Sequence, residues 1–198
     1  MLDGNAVPVE SIRGVLTRLY AVTEHELPQI APEERAYVAS EMTAFLLAWL
    51  ASLRCPVLNR PTASSLCGPS WSTEQWLIEG ARAGLRVEPL RRVLPAYFEA
   101  ARTKTLPAAV APDNDATEAT SIVTFVGPHH CLASDEETVD ASTLAAVQRL
   151  ADAAKVELLS LTFVGGPGRL RLVSAVPWVE PTRPEVADAL LDRLERAP

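Results

Sequence analysis

Three adjacent residues, His129, His130 and Cys131, carry side chains of the kinds that bind zinc in proteins. Successive side chains of an extended chain point to opposite faces, so adjacent residues rarely hold one ion together. No second pair of cysteine or histidine residues stands at a chelating spacing. The evidence for Cys131 as a nucleophile with His130 as its base is equally weak, because adjacency in sequence gives no catalytic geometry. The sequence favours an ordinary loop here, with a metal site and a cysteine nucleophile as open alternatives.

Two further sets of residues invite a chemical interpretation. The acidic run Asp135-Glu136-Glu137 has the oxygen ligands of a divalent-cation site, although acidic runs in loops are more often simply solvated. Cys55 and Cys67 flank apolar segments and are expected to be small core residues. The three cysteines are odd in number and widely spaced, which is typical of reduced thiols in a cytoplasm.

The turn Asn59-Arg60-Pro61 is more informative. It follows residues 55–58, which are short and apolar and are expected to form a buried strand. Open α/β sheets bind their ligands at the carboxyl ends of parallel strands, which is where this polar pair would lie. The alternative is that Asn59 hydrogen-bonds its own loop and that Arg60 anchors an acidic neighbour.

The four tryptophans divide into two pairs. Trp49 and Trp76 lie on apolar helical positions and are expected in the core, whereas Trp71 and Trp178 fall in loops. Exposed loop tryptophans are mild evidence for a partner or ligand surface. The candidate ligand- or partner-binding residues are therefore Arg18, Asn59, Arg60, Trp71 and Trp178, and no catalytic or metal-binding residue is assigned.

Charge and hydropathy exclude several classes of function. The 198 residues include 18 basic and 25 acidic side chains, for a net charge of −7, and only two of the basic residues are lysines. An acidic chain without a basic run is a poor nucleic-acid binder, and no GxxxxGK[ST] motif is present for a P-loop. The longest apolar stretch, residues 43–53, is about half a membrane span, and no signal peptide is recognisable. We expect a cytoplasmic protein that binds neither nucleic acid nor membrane.

Hydrophobic periodicity predicts an α/β fold. In the first half we expect a strand over residues 12–20, a buried helix over 33–53 and a strand over 55–58. Ser72 and Gln75 form a capping box that opens a helix ending at Gly84, and residues 85–94 are extended. Strand, helix and strand over 55–94 would form a βαβ unit with parallel pairing.

The second half follows a linker over 95–120 without periodicity, apart from a helical turn near 97–102. We expect a strand over 121–127, with residues 129–137 in the loop after it, and a helix over 141–154 capped by Asp140. Strands over 156–164 and 169–176 form an antiparallel hairpin around the glycine turn 165–168. A last helix, capped near Thr182, has the inward-facing apolar residues Val186, Leu190, Leu191 and Leu194.

The order of these features resembles the ATP-grasp carboxylate–amine ligases. Residues 12–94 resemble the N-terminal pre-ATP-grasp domain through Cys55-Pro56-Val57-Leu58-Asn59-Arg60-Pro61, Gly68-Pro69 and Gly84-Leu85-Arg86-Val87. The helix, hairpin and final helix of the second half resemble the end of the ATP-grasp domain. The resemblance implies a pre-ATP-grasp-like mixed sheet with helices over residues 1–94, a linker over 95–120, and a smaller α+β ATP-grasp-like C-terminal remnant over 121–198.

The sequence departs from that family where the family binds magnesium and ATP. The family's Glu-x-Asn-Pro is Ser174-Ala175-Val176-Pro177 here, and the acid expected before Phe163 is Thr162. A central domain supplies two phosphate-binding lysines in these ligases. Here Lys104 lies in the linker and Lys155 ends a helix, and 198 residues cannot hold three domains of about 100 residues each.

Three hypotheses follow. The first is a truncated, degenerate ATP-grasp-like protein without its own ligase activity and without cofactor, acting as a binding or scaffold subunit. Its partner would be a full-length ATP-grasp peptide or amino-acid ligase of a bacterial biosynthetic pathway, or a second copy of itself. The second is an enzyme, either half of a split ligase or a reused fold, with Arg18, Asn59, Arg60 and His129 or His130 as candidate groups. The third is an unrelated small-molecule-binding α/β domain.

Overall fold

The computed structural model describes residues 7–89, 120–127, 130–134 and 139–196. The helices in these ranges are α1 (Arg35–Ser52), α2 (Thr73–Arg82), α3 (Ala141–Ala154) and α4 (Pro184–Arg196). The strands are β1 (Val15–Leu16), β2 (Val57–Leu58), β3 (Thr120–Val126), β4 (His130–Ala133), β5 (Leu158–Val164) and β6 (Arg171–Val176). The architecture is α/β, as the sequence predicts.

A four-stranded antiparallel sheet in the order β4-β3-β5-β6 forms the centre of the fold. Helices α2 and α3 cover one of its faces, where alternate residues of the strands point inward, as the two-residue period of a strand requires. This main core includes Trp76, Val147, Leu150, Phe125, Leu161, Phe163 and Leu172.

The opposite face of the sheet is covered in part by α4 and by the parallel pair β1–β2. Leu58 of β2 and Leu190 of α4 pack there against Val126 of β3 and Leu158 of β5. These two strand residues point away from the main core. The first third of the chain is therefore held against the last third by a shared apolar layer.

β1 is much shorter than the strand expected over residues 12–20. It pairs only with β2, in register Val15 with Val57 and Leu16 with Leu58. β2 is preceded by Pro56 and followed closely by Pro61, and proline has no N–H to extend a ladder. The short partner strand β2 therefore limits the length of β1, even though apolar and polar residues continue to alternate beyond Leu16.

The predicted βαβ unit over residues 55–94 is wrong. β2 pairs with β1, whereas Val87 makes a parallel bridge to Leu172 of β6, at the edge of the four-stranded sheet. Backbone hydrogen bonds from Glu88 N–H to the Leu172 carbonyl and from Leu172 N–H to the Arg86 carbonyl, both 2.8 Å, fix this arrangement. Helix α2, which lies between β2 and Val87 in the chain, packs on the four-stranded sheet through Trp76 and Leu77.

α1 is not the buried helix that its apolar sequence predicts. Only Ala39 and Leu50 of its 18 residues are buried, and its large apolar residues Met42 and Phe45 are exposed. The core beneath α1 is small, consisting of Leu50, Leu53, Val57 and Leu66 with a few half-buried neighbours. This core accommodates one side of the helix, and no other described part of the chain buries the remaining apolar side chains.

The other helix and strand predictions hold closely. Ser72 and Asp140 cap α2 and α3 by accepting the N–H of Gln75 and Thr143, and Gly84 takes a φ of +96° after α2. The antiparallel hairpin β5–β6 is confirmed, while Leu191 of α4 is exposed rather than inward-facing. His130 and Cys131 lie in strand β4, paired with Val126 and Phe125, and not in the expected loop.

Several predictions lie outside the described residues, namely the linker and helical turn within residues 90–119, His129, and Asp135-Glu136-Glu137. Among the described helices, none is long and apolar enough to cross a membrane.

Candidate functional site

Asn59 lies where the β1–β2 pair meets the four-stranded sheet, a junction that we call the seam (residues 17–20, 57–60, 157–158 and 177–180). Its Nδ2 donates to the backbone carbonyls of Leu158 and Pro177, both at 2.8 Å. Its Oδ1 accepts the N–H of Glu157 at 2.6 Å and of Leu158 at 2.7 Å. The residue is 1% exposed, so the whole hydrogen-bonding capacity of the amide is used within the chain. Asn59 joins two segments nearly 100 residues apart.

Gly68 allows this close packing. A Cβ on Gly68 would lie 3.2 Å from Cβ of Asn59 and 3.5 Å from Cβ of Pro177. The φ of +108° at Gly68 also favours glycine. The loop before α2 is therefore shaped to fit around the Asn59 side chain.

Two further candidates, Arg18 and Trp178, lie at the rim of the seam. Arg18 donates to both carboxylate oxygens of Glu180, at 2.6 and 2.5 Å, and both side chains are about half exposed. Trp178 packs edge-on against Tyr20, with ring centroids 4.8 Å apart. Sequence reasoning missed Tyr20 and Glu180, because nothing local signals contacts between residues about 160 positions apart.

A cavity of about 190 Å³ opens beside Arg18, between β1 and α1. Its walls are mainly apolar and include Leu19, Leu46 and Trp49. Oγ1 of Thr17, also in the wall, is buried and has no hydrogen-bond partner. Apolar cavities of about 150 Å³ hold benzene, so this one is large enough for a single aliphatic or aromatic side chain.

Arg60 is a second exposed arginine of the seam. It directly follows Asn59, is exposed, and makes no hydrogen bond or ion pair with any described residue. The acidic anchor expected for it is therefore absent from the described parts of the chain. Its guanidinium is free to bind a carboxylate or another anion from outside.

Trp71 lies apart from the seam, on the side of the sheet that carries α2. Its ring centroid is 4.6 Å from that of Trp76, at an interplanar angle of 58°. Both Trp71 and Trp178 are in loops, as predicted, but each is half-buried rather than exposed. Arg18, Asn59, Arg60 and Trp178 all belong to the seam, and Trp71 does not.

Cys131 is poorly suited to be a nucleophile. Its side chain is partly buried in β4, and burial raises the pKa of the thiol to about 11. Reactive cysteines have lowered pKa values, because the thiolate is the attacking species. Among the described residues, no group of three His, Cys, Asp or Glu side chains is placed to hold a metal ion.

Small hydroxyl side chains occupy the sheet face opposite α2 and α3. Thr162 of β5 is the direct cross-strand partner of Ser174 of β6, and Ser160 is the partner of Val176. On the other side of β5, Ser160 pairs with Thr124. Thr162 and Ser174 are half-buried, and cross-strand Cβ atoms lie about 5 Å apart. The four positions Ser160, Thr162, Ser174 and Val176 thus form one compact patch.

Comparison with solved structures identifies the architecture. The chain aligns with the macrocyclase MdnC from Microcystis aeruginosa MRC, bound with precursor peptide MdnA, at a TM-score of 0.63 and 12% identity, over 98% of this chain and 82% of that chain. It aligns with the ATP-grasp ligase PsnB complexed with minimal precursor, Mg and ADP at a TM-score of 0.59 and 14% identity, over 93% and 78%. The chain has an ATP-grasp-like fold. No family model and no curated protein matches the sequence.

The side chains of the patch do not fit a magnesium ion. The resemblance assigns the metal ligands of an ATP-grasp-like fold to Thr162 and to residues 174–177. Thr162 and Ser174 offer neutral hydroxyls, and Val176 offers no side-chain oxygen. Magnesium is a hard cation that proteins hold through carboxylates, so this patch lacks the charge and the donors that it needs.

Proposed function

We propose that this chain is an ATP-grasp-like protein without ATP-dependent ligase activity of its own, which acts as a binding or scaffold subunit. Its partner would be a full-length ATP-grasp peptide or amino-acid ligase of a bacterial biosynthetic pathway, in the cytoplasm. The observation that carries the proposal is the pairing of Thr162 with Ser174 where the resemblance expects metal-binding carboxylates. Without a bridging metal, the charge on the transferring phosphate group would not be neutralised.

The lysines and the chain length support the same conclusion. Lys155 follows α3 in a left-handed conformation, and we propose that it serves as the C-cap of that helix and not as a phosphate ligand. The other lysine, Lys104, belongs to residues 90–119, a stretch of 30 residues, whereas a phosphate-binding domain takes about 100. We therefore propose that the central domain is reduced or absent.

The partner surface that we propose is the seam. Arg60 supplies an uncommitted positive charge, the cavity beside Arg18 can take one apolar side chain, and Trp178 adds an aromatic edge at the rim. Asn59 would act indirectly, by holding the two walls of the seam together. Trp71 would be a separate contact, because it packs on the α2 side. The precursor peptides bound to MdnC and PsnB support a peptide or protein as the occupant.

Co-purification with any full-length ATP-grasp ligase that a neighbouring gene encodes tests the proposal. We expect a stoichiometric complex of the two proteins by size-exclusion chromatography with light scattering. Arg60→Glu should weaken that complex about tenfold or more, because it reverses the one uncommitted charge of the seam. Arg82→Glu is the matched control, since Arg82 is an exposed arginine on α2 whose partner is Glu79. No complex, or equal weakening by both variants, would refute the proposed surface.

Half of a split ligase is the alternative, and ATP turnover distinguishes it. If the neighbouring ligase has no turnover alone and gains it only with this chain, the split ligase is correct. If the ligase turns over ATP alone and this chain changes only its rate or its KM for the acceptor substrate, the chain is a binding subunit. Neither outcome depends on the oligomeric state of the chain by itself.

A further inference from the structure

The hydroxyl of Thr17 is an unpaired polar group in the wall of the cavity beside Arg18. The residue is only 9% exposed, and its Oγ1 has no hydrogen-bond partner among the described residues. Folded proteins pair nearly all of their buried polar groups, so an exception calls for a reason. Thr43 of α1, a threonine of the same region, follows the rule, because its Oγ1 donates to the Ala39 carbonyl at 2.8 Å and accepts the Val22 N–H at 3.0 Å.

Thr17 continues β1 along the cavity. Its N–H donates to the Leu58 carbonyl at 3.0 Å, which extends the pairing with β2 by one residue. Successive residues of a strand alternate between its faces, so the side chain of Thr17 shares a face with that of Val15, which packs in the small core beneath α1. Leu46 and Leu50 of α1 line the cavity on the same side. The side chain of Thr17 therefore lies on the side of the strand where the cavity is.

The size and lining of the cavity select the group that would pair with this hydroxyl. Water is a poor candidate, because a trapped water needs several polar partners and the walls are mainly apolar. Apolar cavities of about 150 Å³ hold benzene, so a volume of about 190 Å³ leaves room for an aromatic ring with one further atom. A phenol would bury its apolar ring and present a hydroxyl at its tip. Leucine or phenylalanine would fill the same space and leave Oγ1 of Thr17 unpaired.

We propose that the cavity binds the side chain of a tyrosine of the partner protein, whose hydroxyl forms a hydrogen bond with Oγ1 of Thr17. This inference deepens the proposed function and rests on it, because it names the residue that the seam receives from the partner. A hydroxyl both donates and accepts, so the two hydroxyls can pair in either direction. Thr17 would thus distinguish tyrosine from phenylalanine at this position of the partner.

The mouth of the cavity suits a residue of a polypeptide better than a free phenol. Both contacts between Arg18 and Glu180 are made by Nη2 of the arginine, at 2.6 and 2.5 Å. Within the described residues, Nε and Nη1 of Arg18 can therefore donate to a backbone carbonyl of the entering chain. The carboxylate of Glu180 is about half exposed and can accept a backbone N–H. The mouth thus offers both a donor and an acceptor to the main chain of the residue whose ring enters.

Titration of the purified full chain with N-acetyltyrosinamide and N-acetylphenylalaninamide, followed by NMR chemical shifts, tests the proposal. The two probes differ by one hydroxyl. We expect the tyrosine probe to bind about fivefold or more tightly, and Thr17→Val to remove that preference. Thr17→Val nearly keeps the shape of the side chain and deletes a hydroxyl that has no partner in the described chain, so the variant should fold. Thr73→Val is the matched control, because Thr73 is an exposed threonine at the start of α2. Failure of the tyrosine probe to bind, or a preference that Thr17→Val leaves unchanged, would overturn the proposal.

Filling the cavity tests where the probe binds. Leu46→Trp places a large ring in the cavity from α1 and should abolish binding of N-acetyltyrosinamide. Leu47→Trp is the matched control, because Leu47 is the next residue of α1, is also half-buried and does not line the cavity. Far-ultraviolet circular dichroism establishes that both variants are folded. Binding that survives Leu46→Trp, or that both variants reduce equally, would show that the probe binds elsewhere and would overturn the proposal.

The same probe separates this inference from the proposed function. N-acetyltyrosinamide should compete with a ligase that co-purifies with the chain, and Thr17→Val should weaken that complex severalfold. If the chain binds the probe through Thr17 but forms no complex with a ligase, the proposed function is wrong while the tyrosine site stands. If the complex forms and the probe neither binds nor competes, the tyrosine site is wrong while the proposed function stands.

Discussion

Thr162 of β5 and Ser174 of β6 are direct cross-strand partners on one face of the central sheet. The same register places Val176 beside Ser160, so one row of small side chains spans the two strands. The resemblance to ATP-grasp ligases assigns metal-binding carboxylates and an amide to this row. The chain thus has an ATP-grasp-like fold with neutral side chains at this row.

Introducing the carboxylates and the amide that the resemblance assigns to this row should create a cation site. We expect the triple variant Thr162→Asp, Ser174→Glu, Val176→Asn to bind Mn²⁺, while the wild-type chain binds none at this face. The reason is the register, which puts positions 162 and 174 side by side, so their carboxylates can share one ion. Electron paramagnetic resonance titration with Mn²⁺ measures the gain. Ile78→Asp is the control, because it places a new carboxylate next to Glu79 on α2, away from this row. Equal affinity of the two variants for Mn²⁺ would count against the register.

Asn59 should be essential for stability. Asn59→Asp keeps the shape of the side chain but turns a carboxylate oxygen toward the carbonyls of Leu158 and Pro177, where Nδ2 now donates. Losing two buried hydrogen bonds and facing oxygen with oxygen should cost about 3 kcal/mol in the free energy of unfolding. Urea denaturation measures this cost. Arg60→Ala, the exposed neighbour, should change the same quantity by less than about 0.5 kcal/mol; similar values for the two variants would contradict the role of Asn59.

Gly80 tests the packing of α2 on the sheet. A Cβ at this position would lie 2.7 Å from Cδ2 of Leu172, which is fully buried in β6. Gly80→Val should therefore destabilise the protein by about 2 kcal/mol through overpacking. Ala81→Val, one residue along on the exposed side of α2, provides the comparison. If both valines have the same small effect on thermal unfolding, α2 does not pack on β6 as described.

Cys131 should make stability depend on alkaline pH. Its thiol has an ordinary pKa of 9.0 in the unfolded chain and about 11 in the folded protein. The folded state therefore favours the neutral thiol, so this contribution to stability is complete below pH 9 and is lost as the pH rises from 9 toward 11. Comparing wild type with Cys131→Ser by urea denaturation at pH 8 and pH 10.5 isolates the effect, because both proteins contain all the other titratable groups. A difference that does not change with pH would show that the thiol is not shielded.

The sequence predicts those elements whose signals are local. α3 matches its predicted bounds, since Asp140 caps it and its apolar residues recur at three and four positions. The strands of the β5–β6 hairpin are likewise found within the predicted ranges, around a turn rich in glycine. For such elements the residues that decide the structure are neighbours in the chain.

The features that the sequence does not predict depend on distant partners. Nothing near Val87 signals that Leu172 is its partner, and nothing near Asn59 signals the backbone of Leu158. Similarly, the apolar sequence of α1 predicts burial but does not say whether its own chain or another supplies the cover. Asn59, Arg60 and Arg18 could be chosen as candidates by residue type and position, whereas Tyr20 and Glu180 become visible only in three dimensions.

The rate of ADP release from Mg-ATP tests the central proposal most directly. It should be measured for the purified chain alone, for a full-length ATP-grasp ligase that a neighbouring gene encodes, and for their equimolar mixture, each with that ligase's acceptor substrate. We predict no ADP release by the chain alone, turnover by the ligase alone, and a different rate in the mixture. Arg60→Glu should abolish this difference in rate, and Arg82→Glu should not. Substrate-dependent ADP release by the chain alone would contradict the proposal, because it would require a metal and phosphate site that Thr162 and Ser174 cannot provide.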